Sequence, residues 1–297
     1  MKKLLSFAVV LTTVLLCLAG CGEEPKINSL QLDFDFTVND TLPDGGGRRV
    51  KVILLAGQSN ATGVAHTGIL KEKVPADTYE RYVNGPDNVH INYNTENGAN
   101  RSDGFVRVNV ESYFIFGPEV GMAERLGDEA DEYFIIKYSY GGSNLYEHWK
   151  KENECLYKGF MTFTGRSLDY LKSKNYDPEI VAMCWMQGES DAFGKTSGKY
   201  YDNTKKFVGN IRSELGDILW VDAGISDSPL WKEYETVNRC KQRFCRLSDK
   251  NIYIDTSGAG LIYRYEPADE PDLAHYDSLS QIELGQLFAE AILAAGK

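Results

Sequence analysis

The sequence predicts an α/β domain built as a three-layer α/β/α sandwich around a five-stranded parallel sheet. Three observations predict it. Apolar, β-branched or aromatic runs of strand length recur at 50–55, 133–138, 180–186, 218–223 and 251–255, and such runs are those of strands buried on both faces. Amphipathic stretches stand between them at 118–126, 158–172, 199–215 and 232–247, with 279–293 as a last helix. That alternation is what parallel strands with crossover helices require. No internal repeat or second rhythm of this kind interrupts 50–297, so it reads as one domain.

With 42% hydrophobic and 25% charged residues among 297, the chain can bury a sizeable core. Its net charge is −11. Such a balance repels phosphate backbones and argues against nucleic acid as a partner. The 18 tyrosines suit sugar faces, and suit ordinary cores equally.

Residues 1–20 read as a leader. Lys2 and Lys3 form a positive start, and 4–18 an apolar stretch too short to span a bilayer comfortably. Leu18-Ala19-Gly20-Cys21 resembles the lipobox of bacterial lipoproteins. The resemblance implies cleavage before Cys21, acylation of that cysteine, and a lipid anchor in the bacterial cell envelope. A plain secretory leader with a chance cysteine is the alternative. Glu23-Glu24 resembles surface-export signals, which favours the outer membrane or cell surface. Residues 21–49 read as the lipidated cysteine and a tether, opening Gly22-Glu23-Glu24-Pro25 and closing Pro43-Asp44-Gly45-Gly46-Gly47. Within it 30–36 alternates like an edge strand.

Cys155, Cys184, Cys240 and Cys245 remain beyond the leader, and they read as structural thiols. No pair has metal-site spacing, and with only four histidines neither a metal nor a cofactor is expected. Two connections are long. Residues 66–115, rich in Asn, Gly and Tyr, and 257–274 both read as loops on the carboxyl edge of the sheet, where substrate selection belongs.

Four blocks sit at strand ends: Gly57-Gln58-Ser59-Asn60, Gly141-Gly142-Ser143-Asn144, Gln187-Gly188-Glu189-Ser190-Asp191 and Asp272-Leu273-Ala274-His275. Acyl transfer by serine needs a base within reach of the hydroxyl, a group that orients the base, and donors for the developing oxyanion. Ser59 ends a buried strand, His275 stands just before the final helix, and Asp272 can hold one imidazole nitrogen from the same loop. Gly141 and Gly142 let a backbone N–H approach a substrate oxygen without a Cβ in the way. Gln187 offers side-chain donors. Each block has a duller reading alone: a turn with a serine, a glycine turn, an exposed Asp–His pair. Glu189 and Asp191 read more readily as carboxylates at a helix start than as catalytic groups. Jointly, the complementary pieces point to one site.

The set resembles the sialate O-acetylesterase and acetylxylan esterase family of carbohydrate esterases, within the Ser-Gly-Asn-His (SGNH) hydrolase superfamily. The likeness runs from about residue 50 to the C-terminus and includes Phe116-Gly117-Pro118-Glu119. It implies a flavodoxin-like sheet, a metal-free serine esterase and acetylated carbohydrate as substrate. It makes Ser59 the nucleophile, His275 the base and Asp272 its orienter. The Ser59 N–H, the Gly142 N–H and the Gln187 side chain become the oxyanion hole, with Gln58, Asn60, Gly141 and Glu189 as support. Ala61 stands where many members have Met, a difference beside the acyl pocket rather than in the chemistry. Two other readings stay open: a lipase- or thioesterase-like hydrolase of longer acyl chains, and a lipid-anchored glycan-binding protein with an inactive site.

Overall fold

The structure, a computed structural model, describes residues 42–110, 115–153 and 155–297. The leader, Cys21, the edge strand expected at 30–36 and most of the tether lie outside the described residues. Strand β1 (Arg49–Gly57) leads into a single helical turn, α1 (Ser59–Thr62). Strand β2 (Ala65–His66), helices α2 (Thr67–Lys73) and α3 (Ala76–Asn84), and strands β3 (Val89–Thr95), β4 (Asn100–Arg101), β5 (Val106–Arg107) and β6 (Ile115–Phe116) follow. The repeating part continues through α4 (Glu119–Leu126), β7 (Tyr133–Ser139), α5 (Leu156–Ser173), β8 (Asp177–Met186) and α6 (Glu189–Phe193). It closes with α7 (Tyr200–Leu215), β9 (Leu219–Ala223), α8 (Tyr234–Cys245), β10 (Asn251–Ile254) and α9 (Ser278–Ala294).

All five expected strands are present as β1, β7, β8, β9 and β10, in a sheet ordered β10-β9-β8-β1-β7-β3-β4 with β5 paired to β3. The sheet is larger than expected, because β3 adds a sixth parallel strand beside β7 and short β4 and β5 run antiparallel to it. Residues 66–110 therefore hold two helices and three strands of the sheet rather than a loop. Its strand was hidden because Asn92 and Asn94 interrupt the apolar run at buried positions. Both are satisfied: Asn92 Nδ2 donates to Ser167 Oγ at 2.9 Å, and Asn94 Oδ1 accepts from the Gly98 N–H at 2.9 Å.

Helices cover both faces. On β7, Lys137 reaches Glu119 of α4 at 2.6 Å, whereas its neighbour Tyr138 packs on Phe160 and Phe163 of α5. Alternate strand residues point to opposite faces, so α4 and α5 lie on opposite sides. Trp149, Trp185, Phe207 and Trp220 extend the α5 face as one aromatic cluster with neighbouring ring centroids 4.8–6.1 Å apart. The domain also begins before residue 50. Leu42 is buried, and the Gly45 and Gly47 N–H groups donate to Lys174 O and Asn175 O at 2.7 Å. The turn at 44–47, read as tether, is fastened to the end of α5.

The register gathers the chemistry at one edge. Thr95, Ser139, Gly57 and Met186 form one row across β3, β7, β1 and β8. The residues that follow them emerge together at the carboxyl rim, and β1 stands where successive strands pass to either side.

Lys137 and Glu119 are both almost fully buried, and burial pulls the Lys137 ammonium down against the pull of Glu119. Removing one partner of such a pair strands the other charge. Lys137→Met should therefore lower unfolding free energy by about 3–5 kcal/mol in urea titrations. Adding Glu119→Gln should recover part of the loss; a single variant as stable as the parent would contradict this.

Candidate active site

The turn after β1 exposes one side chain. Gln58 is 3% and Asn60 1% exposed, while Ser59 between them is half-buried and reaches the surface. Gly57 makes this approach possible: with φ +147° its Cα lies so near β8 that a Cβ would meet Met186 O at 1.9 Å. Gln58 then locks the turn to the third block. Its Oε1 accepts from the N–H groups of Gly188 (3.3 Å) and Ser190 (3.2 Å).

Asn60 joins three segments. Its Nδ2 donates to Glu189 Oε1 at 2.7 Å and to Ala274 O at 3.3 Å, and its Oδ1 accepts from the Tyr276 N–H at 3.0 Å and from Gln281 Nε2 at 3.3 Å. Ala274 and Tyr276 flank His275. The residue after Ser59 thus grips both neighbours of the expected base.

His275 Nδ1 and Asp272 Oδ2 are 2.6 Å apart, and Asp272 Oδ1 accepts the Ala274 N–H at 2.8 Å. With Nδ1 held by the carboxylate, Nε2 is the nitrogen left to take a proton. Burial pushes the Asp272 carboxyl up, but the hydrogen bond and charge of His275 and the Ala274 and His275 N–H groups outweigh it, leaving it below its ordinary 3.8. The loop is tied down by Glu266, which accepts from the Ser278 N–H at 2.8 Å at the start of α9 and pairs with Lys73 of α2.

The second block forms the opposite wall. Gly142 is exposed with φ +67°, and the N–H groups of Ser59 and Gly142 have no hydrogen-bond partner among the described residues. They are available as donors. Gln187 is not. Its side chain is fully buried, with Nε2 directed at Asp191 Oδ2 (2.8 Å), Ser143 O (3.1 Å) and Gln58 Oε1 (3.3 Å), while Oε1 accepts from Tyr200 Oη at 3.1 Å. Two N–H groups facing three acceptors leave none for a substrate. The expectation of a Gln187 oxyanion donor is corrected: Gln187 braces the 141–145 turn from behind.

Glu189 and Asp191 begin α6, as a helix-start reading requires, but both are buried. Burial pushes both carboxyls up against the hydrogen bonds that lower them. Asp191 accepts the Leu145 N–H at 2.8 Å, fastening the same turn. Glu119 of the Phe116-Gly117-Pro118-Glu119 block accepts the Gly117 N–H at 3.0 Å, and its partner Lys137 donates to Thr62 O at 2.7 Å. That contact holds the end of α1. Of the other histidines, His90 stacks on Phe134, and His148 Nδ1 accepts the Asn144 N–H at 2.9 Å, at the end of the second block.

Sequence reasoning missed Glu96, at the end of the unrecognised β3, whose Oε1 accepts the Gly141 N–H at 2.7 Å. Nothing in its neighbours marks it, because the strand that delivers it was not seen. Among the described residues, no three His, Cys, Asp or Glu side chains are grouped to hold a metal ion, and the four cysteines are free thiols. No described helix is long and apolar enough to cross a membrane.

The family profile described as carbohydrate esterase, sialic acid-specific acetylesterase, matches residues 49–294. Among solved structures, a protein of Arabidopsis thaliana is similar over 82% of this chain and 98% of its own, at 17% identity and TM-score 0.62. NanS is similar over 85% and 98%, at 15% identity and TM-score 0.57. XAC1771, a carbohydrate acetylesterase from Xanthomonas citri, is similar over 83% and 56%, at 14% identity and TM-score 0.56. At these identities the likeness is one of fold. No curated protein matches the chain.

The lowered Asp272 carboxyl makes a pH prediction. Its folded value lies below its unfolded one, so its contribution to stability is present above about pH 4 and lost as pH falls through the folded value. The difference in urea stability between the parent and Asp272→Asn should shrink as pH falls below about 4. A difference that grows on acidification would contradict it.

Proposed function

Because the chain belongs to the sialic acid-specific acetylesterase family of carbohydrate esterases, we propose that it hydrolyses O-acetyl esters on carbohydrates with Ser59 as nucleophile, His275 as base and Asp272 as orienter. The observation that carries this reading is the Asn60 clamp, which ties the residue after Ser59 to both neighbours of His275. Ser59 Oγ attacks the acetyl carbonyl while His275 Nε2 takes its proton. The Ser59 and Gly142 N–H groups receive the developing oxyanion. His275 passes the proton to the departing sugar oxygen, leaving an acetyl-enzyme. Water activated by the same imidazole then releases acetate.

Ser59→Ala should abolish acetate release from acetylated xylan and O-acetyl sialic acid while leaving the unfolding transition in place; retained turnover would refute the assignment. The same assays with acetyl and octanoyl esters separate this reading from a longer-chain hydrolase, and labelling by a serine-directed phosphonate separates it from an inactive glycan binder.

Cleavage before Cys21 and its lipidation would place the domain in the cell envelope at the end of a short tether, within reach of polymeric or surface glycans. Palmitate labelling of the full chain in cells should vanish in Cys21→Ser, which should then leave the membrane fraction. Labelling that persists would refute the anchor.

A further inference from the structure

The rim of the site holds one carboxylate that the reaction proposed above does not use. Glu96 leaves the end of β3 with φ +52°, and Asn97 follows with φ +54°. Non-glycine residues seldom adopt this left-handed conformation, and two in succession are held by their surroundings. Here the Glu96 N–H donates to Ser139 O at 3.0 Å, the Gly98 N–H to Asn94 Oδ1 at 2.9 Å, and the Ala99 N–H to Glu96 O at 3.3 Å. The effect is to turn the side chain across the strand ends.

Its Oε1 then bridges the two walls of the site. It accepts the Gly141 N–H at 2.7 Å and the Thr62 hydroxyl at 3.2 Å. The Thr62 hydroxyl meets Ser139 Oγ at 2.8 Å, so a chain of hydroxyls runs from β7 through α1 to the carboxylate. Thr62 closes the single helical turn that Ser59 opens. Gly141 precedes Gly142. One oxygen atom therefore spans the segments that carry the two free N–H donors.

We propose that Glu96 is a positioning residue that sets the separation of the Ser59 and Gly142 N–H groups, and so the width of the oxyanion hole. This rests on the esterase reading of the site. The spacing depends on an acceptor at Oε1, not on negative charge. Burial pushes the Glu96 carboxyl above its ordinary value, and the hydrogen bonds from Gly141 and Thr62 offset this only in part. An amide oxygen at the same place would serve the same two donors.

The test compares Glu96→Ala and Glu96→Gln with the parent, using a p-nitrophenyl phosphonate as the probe. Phosphonylation of Ser59 develops charge in the same hole but needs no sugar and no acetyl group. Glu96→Ala should phosphonylate about 30- to 100-fold more slowly, since small misplacements of such groups cost about that much. On p-nitrophenyl acetate it should lose kcat with little change in KM, and its melting temperature should stay near the parent's. Glu96→Gln should recover most of the rate. Parent-like phosphonylation in Glu96→Ala would overturn the inference, as would equal slowing in both variants or a loss that follows the loss of folded protein. A parent that phosphonylates but releases no acetate from sugars would instead refute the substrate reading and leave this inference standing.

Discussion

The side-chain amide of Asn60 makes four hydrogen bonds, the most its two N–H groups and one carbonyl oxygen usually support, and they reach α6, the His275 loop and α9. All four lie out of water, where an unmatched polar group costs about 1–3 kcal/mol. The arrangement is close to all-or-none. If the loop moves, Asn60 loses Ala274 O and the Tyr276 N–H together. The turn around Ser59 and the loop around His275 are thus held to each other by the side chain of Asn60.

The other buried polar groups repeat this division of labour. Gln58 holds the third block, Gln187 and Asp191 hold the turn after β7, and Lys137 holds the end of α1. None of them needs to touch the substrate. A network satisfied at this many points resists rearrangement, and donors aimed in advance avoid reorganisation during reaction. Glu189 departs from the pattern: its Oε2 is buried without a partner among the described residues, and burial favours its neutral form.

The five strands, their crossover helices and the four blocks were legible because each follows from local pattern: apolar runs, amphipathic spacing, and polar motifs at strand ends. The β3 layer was not, because Asn92 and Asn94 take buried positions and find partners on α5 and in the next turn, contacts that no local pattern contains. Glu96 was lost with that strand. Gln187 was identified as a site residue but given the wrong task. An amide beside a reactive serine reads as a donor to substrate; only the packing shows that Asp191, Ser143 and Gln58 already occupy it. Composition carries residue type, whereas the direction a buried side chain faces is decided by tertiary partners.

A double-mutant cycle on p-nitrophenyl acetate hydrolysis between Asn60 and His275 tests the coupling directly. If Asn60 acts by placing His275 against Ser59, Asn60→Ala alone should lower kcat/KM by about 100-fold. In a His275→Ala background the same change should lower the residual rate by less than about 3-fold, because the partner it positions is gone. An equal fall in both backgrounds would mean that Asn60 acts independently of the histidine, and would contradict the account.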